Sequence, residues 1–311
     1  MRLQHRLSRM GLAVVAAGSL SVGAGAPASA AADQETFASP EAAVAALDAA
    51  WQNGRTSALR LIFGAAGDKL VRSGDRVAEK QARERFAASF AQAHHIELDD
   101  GRAVLVIGDD QWPYPIPLVR RGSAWVFDIA AGQDQIIDRR IGRNELAAIQ
   151  TCRAYVQAQR DFAARNSRSH EFATKVESSP GAQDGLYWPA TAGTEESPLG
   201  PLVASAEARG YGVPNGEGAA PFQGYYYRIL TAQGPHASGG AKSYLVGGHM
   251  TGGFALVAFP AKYGRSGVMT FIVNQSGIVF ERNLGPDTDA IARRMTGFDP
   301  SGRWKIADVR S

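Results

Sequence analysis

The sequence predicts an α+β protein of two units: a small N-terminal domain of helices followed by a curved antiparallel sheet, and a C-terminal domain in which a long helix leads into a second antiparallel sheet. Three observations carry this expectation. Apolar residues recur at helical spacing between Ser39 and Ala93, then alternate between Ala103 and Ile129. The same succession repeats, with a helical stripe after Asn144 and alternating runs after Gly224. Helices segregated ahead of strands in each half belong to α+β rather than βαβ architectures. The expected limits are 33–135 and 143–311, preceded by a signal peptide at 1–30.

The N-terminal stretch has Arg2, Arg6 and Arg9 with no acid, a small-apolar run from Met10 to Ala26, and Ala28-Ser29-Ala30. A charged start, a short apolar run and an A-x-A site form the pattern of a cleavable secretory signal. The expected mature chain starts at Ala31 and is periplasmic or secreted. Neither Arg6 nor Arg9 belongs to an adjacent arginine pair, which favours the general secretory route. No cysteine follows the apolar run, so no lipid anchor is expected there. Later stretches fall short of the roughly 20 apolar residues of a membrane helix, so no membrane anchor is expected after cleavage.

Charge is read on the mature chain. The full sequence has 33 Lys+Arg and 30 Asp+Glu; losing three arginines leaves 30 of each. A neutral chain has no field to draw it to nucleic acid. Cys152 is the only cysteine, so no intramolecular disulfide forms and stability rests on burial.

Element by element, Ser39-Pro40-Glu41 combines a capping serine, a proline suited to the first turn and an acid at the positive dipole end. Val44, Leu47 and Trp51 give that helix its stripe. A short helix is expected over 56–63 and a third over 77–93, with Phe86 and Phe90 on one face and His94-His95 at its end. Residues 103–107 read as a buried strand. Ile116 and Leu118, the turn Arg121-Gly122-Ser123, and Trp125, Phe127 and Ile129 read as a hairpin. A charged connector over 134–142 then precedes a helix that Asn144 caps and that runs to Arg165, with Ala148, Cys152, Tyr155, Gln159 and Phe162 on one face. Ser197-Pro198 signals another helix. Strands follow over 225–230, 244–246, 254–259, 268–274 and 278–281. Asp287 caps a closing helix, and Trp304 and Ile306 mark a last strand.

Several stretches resemble a family of exported bacterial proteins, domain-of-unknown-function family 2950. They are the run Glu-Ser-Pro-Leu-Gly-Pro-Leu-Val from Glu196 and Gly-Tyr-Tyr-Tyr-Arg-Ile-Leu-Thr-Ala-Gln-Gly from Gly224. Gly-Phe-Ala-Leu-Val-Ala-Phe-Pro from Gly253, Gly-Val-Met-Thr-Phe-Ile-Val-Asn from Gly267 and Leu-Gly-Pro-Asp-Thr from Leu284 belong with them. The resemblance implies an exported envelope protein and supplies no activity or catalytic residues. Element order in the first half is similar to a small cone of the nuclear-transport-factor-2-like kind. The helix from Glu145 and the sheet after it resemble the head of type IV pilins and pseudopilins. Here, however, a whole domain occupies the place of the fibre-forming apolar helix, so polymerisation as a pilin is not implied.

Candidate chemistry is sparse. His236 and His249 lie in the glycine-densest stretch, 234–253, where seven glycines cost folding entropy and so point to a backbone constraint such as a ligand or tight turns. The two histidines lack a third and fourth partner of metal-ligand type at useful spacing, so no metal site is expected. Tyr225, Tyr227 and Trp188, with their aromatic neighbours, are candidates to line a groove for sugar or peptide. Gly264-Arg265-Ser266-Gly267 lacks the second glycine of a nucleophile elbow and reads as a turn. No phosphate loop, dinucleotide fingerprint or Cys-x-x-Cys pair is present, so no cofactor is expected. Three functional expectations follow. The leading one is a non-catalytic binding or accessory protein with an envelope protein or polymer as partner. The second is a periplasmic hydrolase using His236 or His249 with an acid such as Glu217 or Asp287. The third is a structural accessory of a secretion or pilus-like apparatus.

Overall fold

The computed structural model describes residues 34–165, 170–191, 193, 195–212 and 220–307. The expected signal segment and Glu217 lie outside them.

The first half opens with α1 (Pro40–Gln52), where Ser39 Oγ accepts from Ala42 N at 3.2 Å and Pro40 takes the first turn. α2 (Thr56–Phe63), a 3-10 turn at Ala65–Gly67 and α3 (Asp68–Val71) follow. Asp75 caps α4 (Arg76–Gln92) through its side chain. The strands β1 (His94–Asp99), β2 (Arg102–Ile107), β3 (Trp112–Pro113), β4 (Leu118–Arg121) and β5 (Ala124–Phe127) form one antiparallel sheet in the order β1-β2-β4-β5, with β3 also on β2. Leu47, Leu59, Ile62 and Phe63 of the helices pack with Leu105, Leu118 and Phe127 of the sheet. His94 and His95 begin β1 instead of ending the preceding helix; the His94 ring stacks on Phe90 at 3.8 Å.

The next element departs from expectation. α5 is one continuous helix, Ile129–Arg165, and the expected connector 134–142 lies within it. Asn144 therefore caps nothing: it is buried, and its Nδ2 donates to Ser266 O at 2.8 Å. Glu145, expected at the positive dipole end, uses Oε1 to accept from Val268 N and Met269 N, both at 2.9 Å. Ile129 and Ile137 at one end of α5 belong to the first core, whereas Ala148, Cys152, Tyr155 and Phe162 belong to the second.

The helix after Ser197-Pro198 is α6 (Gly200–Glu207), with Pro201 in its first turn. The second half then supplies β6 (Tyr225–Leu230), β7 (Ala232–Gln233), β8 (Lys242–Ser243), β9 (Leu245–Val246), β10 (His249–Met250), β11 (Ala255–Pro260), β12 (Met269–Asn274) and β13 (Phe280–Asn283). α7 (Thr288–Arg294), β14 (Gly297–Phe298) and β15 (Lys305–Ile306) close it. The main sheet runs β15-β13-β12-β11-β6, antiparallel throughout, and a small sheet runs β14-β7-β8. Every residue of the central strand β11 is buried, as a strand covered on both faces requires. α5 covers one face: Tyr155 OH donates to Ala255 O at 3.1 Å, and buried Gln159 bonds Tyr155 OH and both backbone groups of Ala173. Arg293 of α7 covers the other, over the rings of Tyr226 and Phe259. Asp287 precedes α7 but makes no side-chain capping bond.

The glycine-dense stretch is not one open loop. It carries β8 and the hairpin β9–β10, whose turn residues Gly247 and Gly248 have φ of 60° and 88°. Two consecutive positive φ values are the signature of the tight hairpin turn that matches strand twist.

Candidate functional site

The five residues singled out from the sequence do not converge. Strand alternation puts Tyr225 and Tyr227 on the face of β6 beneath α5, so they serve the core instead of an open groove. Tyr225 has no exposed surface and its hydroxyl donates to Met269 O at 2.9 Å. The Tyr227 hydroxyl is buried as well. Trp188 is buried; its Nε1 donates to Glu195 O at 2.9 Å and the Arg165 guanidinium sits 5.3 Å from its ring. His236, in the turn after β7, pairs through Nδ1 with Asp299 at 3.1 Å, and its backbone N–H donates to the same carboxylate at 2.9 Å. His249 on β10 pairs with Glu171 at 3.1 Å. Both rings are exposed, and neither acid is Asp287. Each pair has its own acid, and no serine or threonine hydroxyl bonds either ring among the described residues. No cluster of three or more His, Cys, Asp or Glu fit to hold a metal occurs among them either.

What the fold does bring together is a cleft of about 530 Å³ where the two halves meet. Its first wall comes from the α3–α4 region, including Leu70, Ser73, Ala78, Glu79, Ala82 and Arg85, with Trp51 at the end of α1. Its floor is the middle of α5, Arg140, Arg143 and Asn144. Arg209, Tyr211 and Gln223 of the second half close the far side. Volumes of a few hundred cubic ångströms are those of small-molecule sites.

Asp75 pins the walls. It is 1 % exposed, and its Oδ1 caps α4 by accepting from Ala78 N at 2.9 Å. Oδ2 accepts from two groups of the second half, Gly224 N at 2.7 Å and Tyr211 OH at 3.0 Å. Burial raises its carboxyl above the ordinary aspartate range, against the lowering effect of these hydrogen bonds. The same burial, followed by the charge of Asp75, raises the Tyr211 phenol. Gly224 has φ +81°, and a Cβ there would run into the Asn144 amide, so the chain passes α5 too closely for any side chain. Arg265 adds a second tie, with Nη1 on Asp68 Oδ2 at 3.0 Å.

The cleft is basic. Arg85, Arg140, Arg143 and Arg209 line it, against one carboxylate, Glu79, whose Oε1 already accepts from Ser73 N, Ser73 Oγ and Gly74 N. Arg140 is committed to the fold: it donates to Lys69 O at 3.1 Å and Leu70 O at 2.5 Å, two carbonyls of α3. Burial is the main cause that pushes it down to about 10. Arg209 bonds Ser205 and lies over Phe222. Arg85 and Arg143 make no hydrogen bond or ion pair among the described residues. Burial, then the charges of Arg85 and Arg139, lower the Arg143 guanidinium. Sequence reasoning missed this group because its arginines are scattered over α4, α5 and the segment after α6. The one local signal was the pattern Asp-Arg-Arg-Ile-Gly-Arg from Asp138, which reads as a solvated connector.

Fold and cleft together define an α+β protein in which one helix spans two cores and a polar cleft lies at their junction. The chain belongs to the family described as Protein of unknown function (DUF2950), whose model matches residues 34–307. None of the curated proteins matches it, and none of the solved structures does. Among the described residues no helix is long and apolar enough to cross a membrane.

Proposed function

We propose that this is an exported protein of the bacterial envelope that acts without catalysis, as a binding or accessory protein, with the cleft at the junction of its halves as the binding site. The cleft carries the reading: it is concave, has an aromatic residue on each side (Trp51 and Tyr211), and presents polar groups that the fold leaves partly unused. Export rests on the charged, apolar and A-x-A succession of residues 1–30.

Both parts are testable. Intact mass of periplasmic protein is expected to start at Ala31; a full-length product in the membrane fraction overturns export. A thermal-shift screen of small polar molecules is expected to give hits that Ala82→Trp, which fills the cleft, abolishes. Hits that ignore Ala82→Trp overturn the cleft as the site. The 3.1 Å His236–Asp299 and His249–Glu171 pairs favour a hydrolase as the second reading, since a carboxylate-oriented imidazole is the geometry of a general base. Hydrolysis lost in His236→Ala or His249→Ala would establish it in place of the first.

A further inference from the structure

Resting on the cleft as the binding site, we infer that its ligand is a phosphate monoester, a small organic dianion whose charge is met by Arg85 and Arg143. The first support is the charge inventory of the lining. Four guanidiniums face one carboxylate, and that carboxylate is taken up by Ser73 and Gly74. Like charges gathered around a concave surface repel one another, and a counter-anion in the cleft removes that repulsion. The second support is the division of labour among the arginines. Arg140 caps α3 and Arg209 is tied to Ser205 and Phe222, whereas Arg85 and Arg143 have their donors unused among the described residues. Two free guanidiniums, Arg85 on the α4 wall and Arg143 on the floor beside it, match two negative charges on one group. Their planar forks suit phosphate oxygens, which accept paired N–H donors.

The third support is size and lining. The cleft, at about 530 Å³, has room for an organic body beside the phosphate, and Trp51 and Tyr211 offer apolar faces for it. A phosphate group alone leaves those faces unused. A phosphorylated sugar uses both parts: its ring lies against the aromatics and its ester phosphate reaches the arginines. In an exported protein such a group is available from envelope polymers and from free sugar phosphates alike; the chemistry recognised is shared.

The test uses the full mature chain and four probes: glucose 6-phosphate, inorganic phosphate, gluconate and glucose, by calorimetry with thermal shift alongside. Glucose 6-phosphate is expected to bind best, and its affinity to fall with added salt as charge screening grows. Arg143→Gln and Arg85→Gln are each expected to weaken it about tenfold, the scale of one lost charge-assisted contact. Both side chains lack partners among the described residues, so the variants are expected to keep the wild-type melting temperature without ligand. Arg121→Gln, at the end of β4 and outside the cleft lining, serves as the control and leaves binding unchanged. Gluconate binding as well as glucose 6-phosphate would overturn the dianion inference. Glucose binding as tightly as its phosphate, unchanged in Arg143→Gln but lost in Ala82→Trp, would overturn it while leaving the cleft as a binding site. No probe showing binding sensitive to Ala82→Trp would overturn both. Inorganic phosphate matching glucose 6-phosphate would keep the arginine assignment and overturn the organic body.

Discussion

Asp75 offers the sharpest test of how the two halves are held. Asp75→Ala removes one buried carboxylate and leaves three donors without it. Loss of the α4 cap costs about 1 kcal/mol by the usual scale for Asp-to-Ala changes at that position. Gly224 N–H and the Tyr211 hydroxyl are then buried without their acceptor, at about 1–3 kcal/mol each. Relief of the buried charge offsets part of this, since burial disfavours the ionised carboxyl. The net expectation is about 3–4 kcal/mol at neutral pH, similar to breaking other buried polar pairs from one side. Urea unfolding followed by circular dichroism measures it. Tyr211→Phe removes only one of the bonds and is expected to cost about 1 kcal/mol. The double variant is expected to fall short of the sum, because the two groups share an interaction. A loss below about 1 kcal/mol in Asp75→Ala would refute the reading of this carboxylate as a tie between the halves.

The pH dependence has a definite sign. The folded carboxyl of Asp75 sits above its ordinary value of 3.8, so the folded state holds its proton more tightly than the unfolded chain. Stability from this shift is fully present below 3.8 and is lost as pH rises through the folded value. The difference in stability between wild type and Asp75→Ala is therefore expected to shrink from pH 3.5 toward neutrality. A difference that grows over that interval would mean the hydrogen bonds outweigh burial.

Further outcomes follow at three positions, Cys152, Gly224 and Gly142. Cys152 has no exposed surface, and burial pushes its thiol up to about 12, so the native protein is expected to resist thiol reagents at neutral pH and to label fully in guanidinium. Cys152→Ala is expected to cost about 1 kcal/mol, read by urea unfolding. Gly224→Ala meets both a positive φ and the Asn144 amide, and is expected to cost at least about 2 kcal/mol; a neutral effect would mean that the chain does not pass α5 so closely. Gly142→Pro is expected to cost about 3 kcal/mol because it breaks α5 in its interior, whereas a connector over 134–142 would tolerate it.

Much of the fold was legible because its signals are local. The Ser39-Pro40 start, the strand β6 at Tyr225–Leu230 and the buried strands after it follow from capping chemistry and alternation, and the structure has them in those places. The α+β class followed from their order. Elements decided by tertiary context were not legible. β1 is mostly exposed and polar, so no alternating apolar run marks it; pairing along its whole length with β2 makes it a strand. Tyr225 and Tyr227 stood out as aromatics, but their face of the sheet could be known only once α5 was seen to cover it. The cleft was illegible for the same reason, since Asp75, Arg143 and Tyr211 are far apart in sequence and share no motif.

The misreading of α5 and the missing of the cleft have one cause. Ile137 and Tyr155 are 18 residues, or about five helical turns, apart, so they lie on the same face. Asn144, Ala148 and Phe162 fall within about 20° of that face. One stripe therefore runs from the first core to the second, and its period is never broken. Its character is: between the cores the stripe carries Asn144, with Arg140 about 60° and Arg143 about 120° around the helix. Ile141 at that level still packs on the first core, whereas Arg140, Arg143 and Asn144 line the cleft. The polar residues that make 134–144 look like a connector and a fresh helix start include Arg140, Arg143 and Asn144, which floor the cleft. Gly142→Pro and Arg143→Gln thus address one segment in two ways: the first is expected to break the helix and lower stability. The second is expected to leave the helix intact and weaken only the ligand.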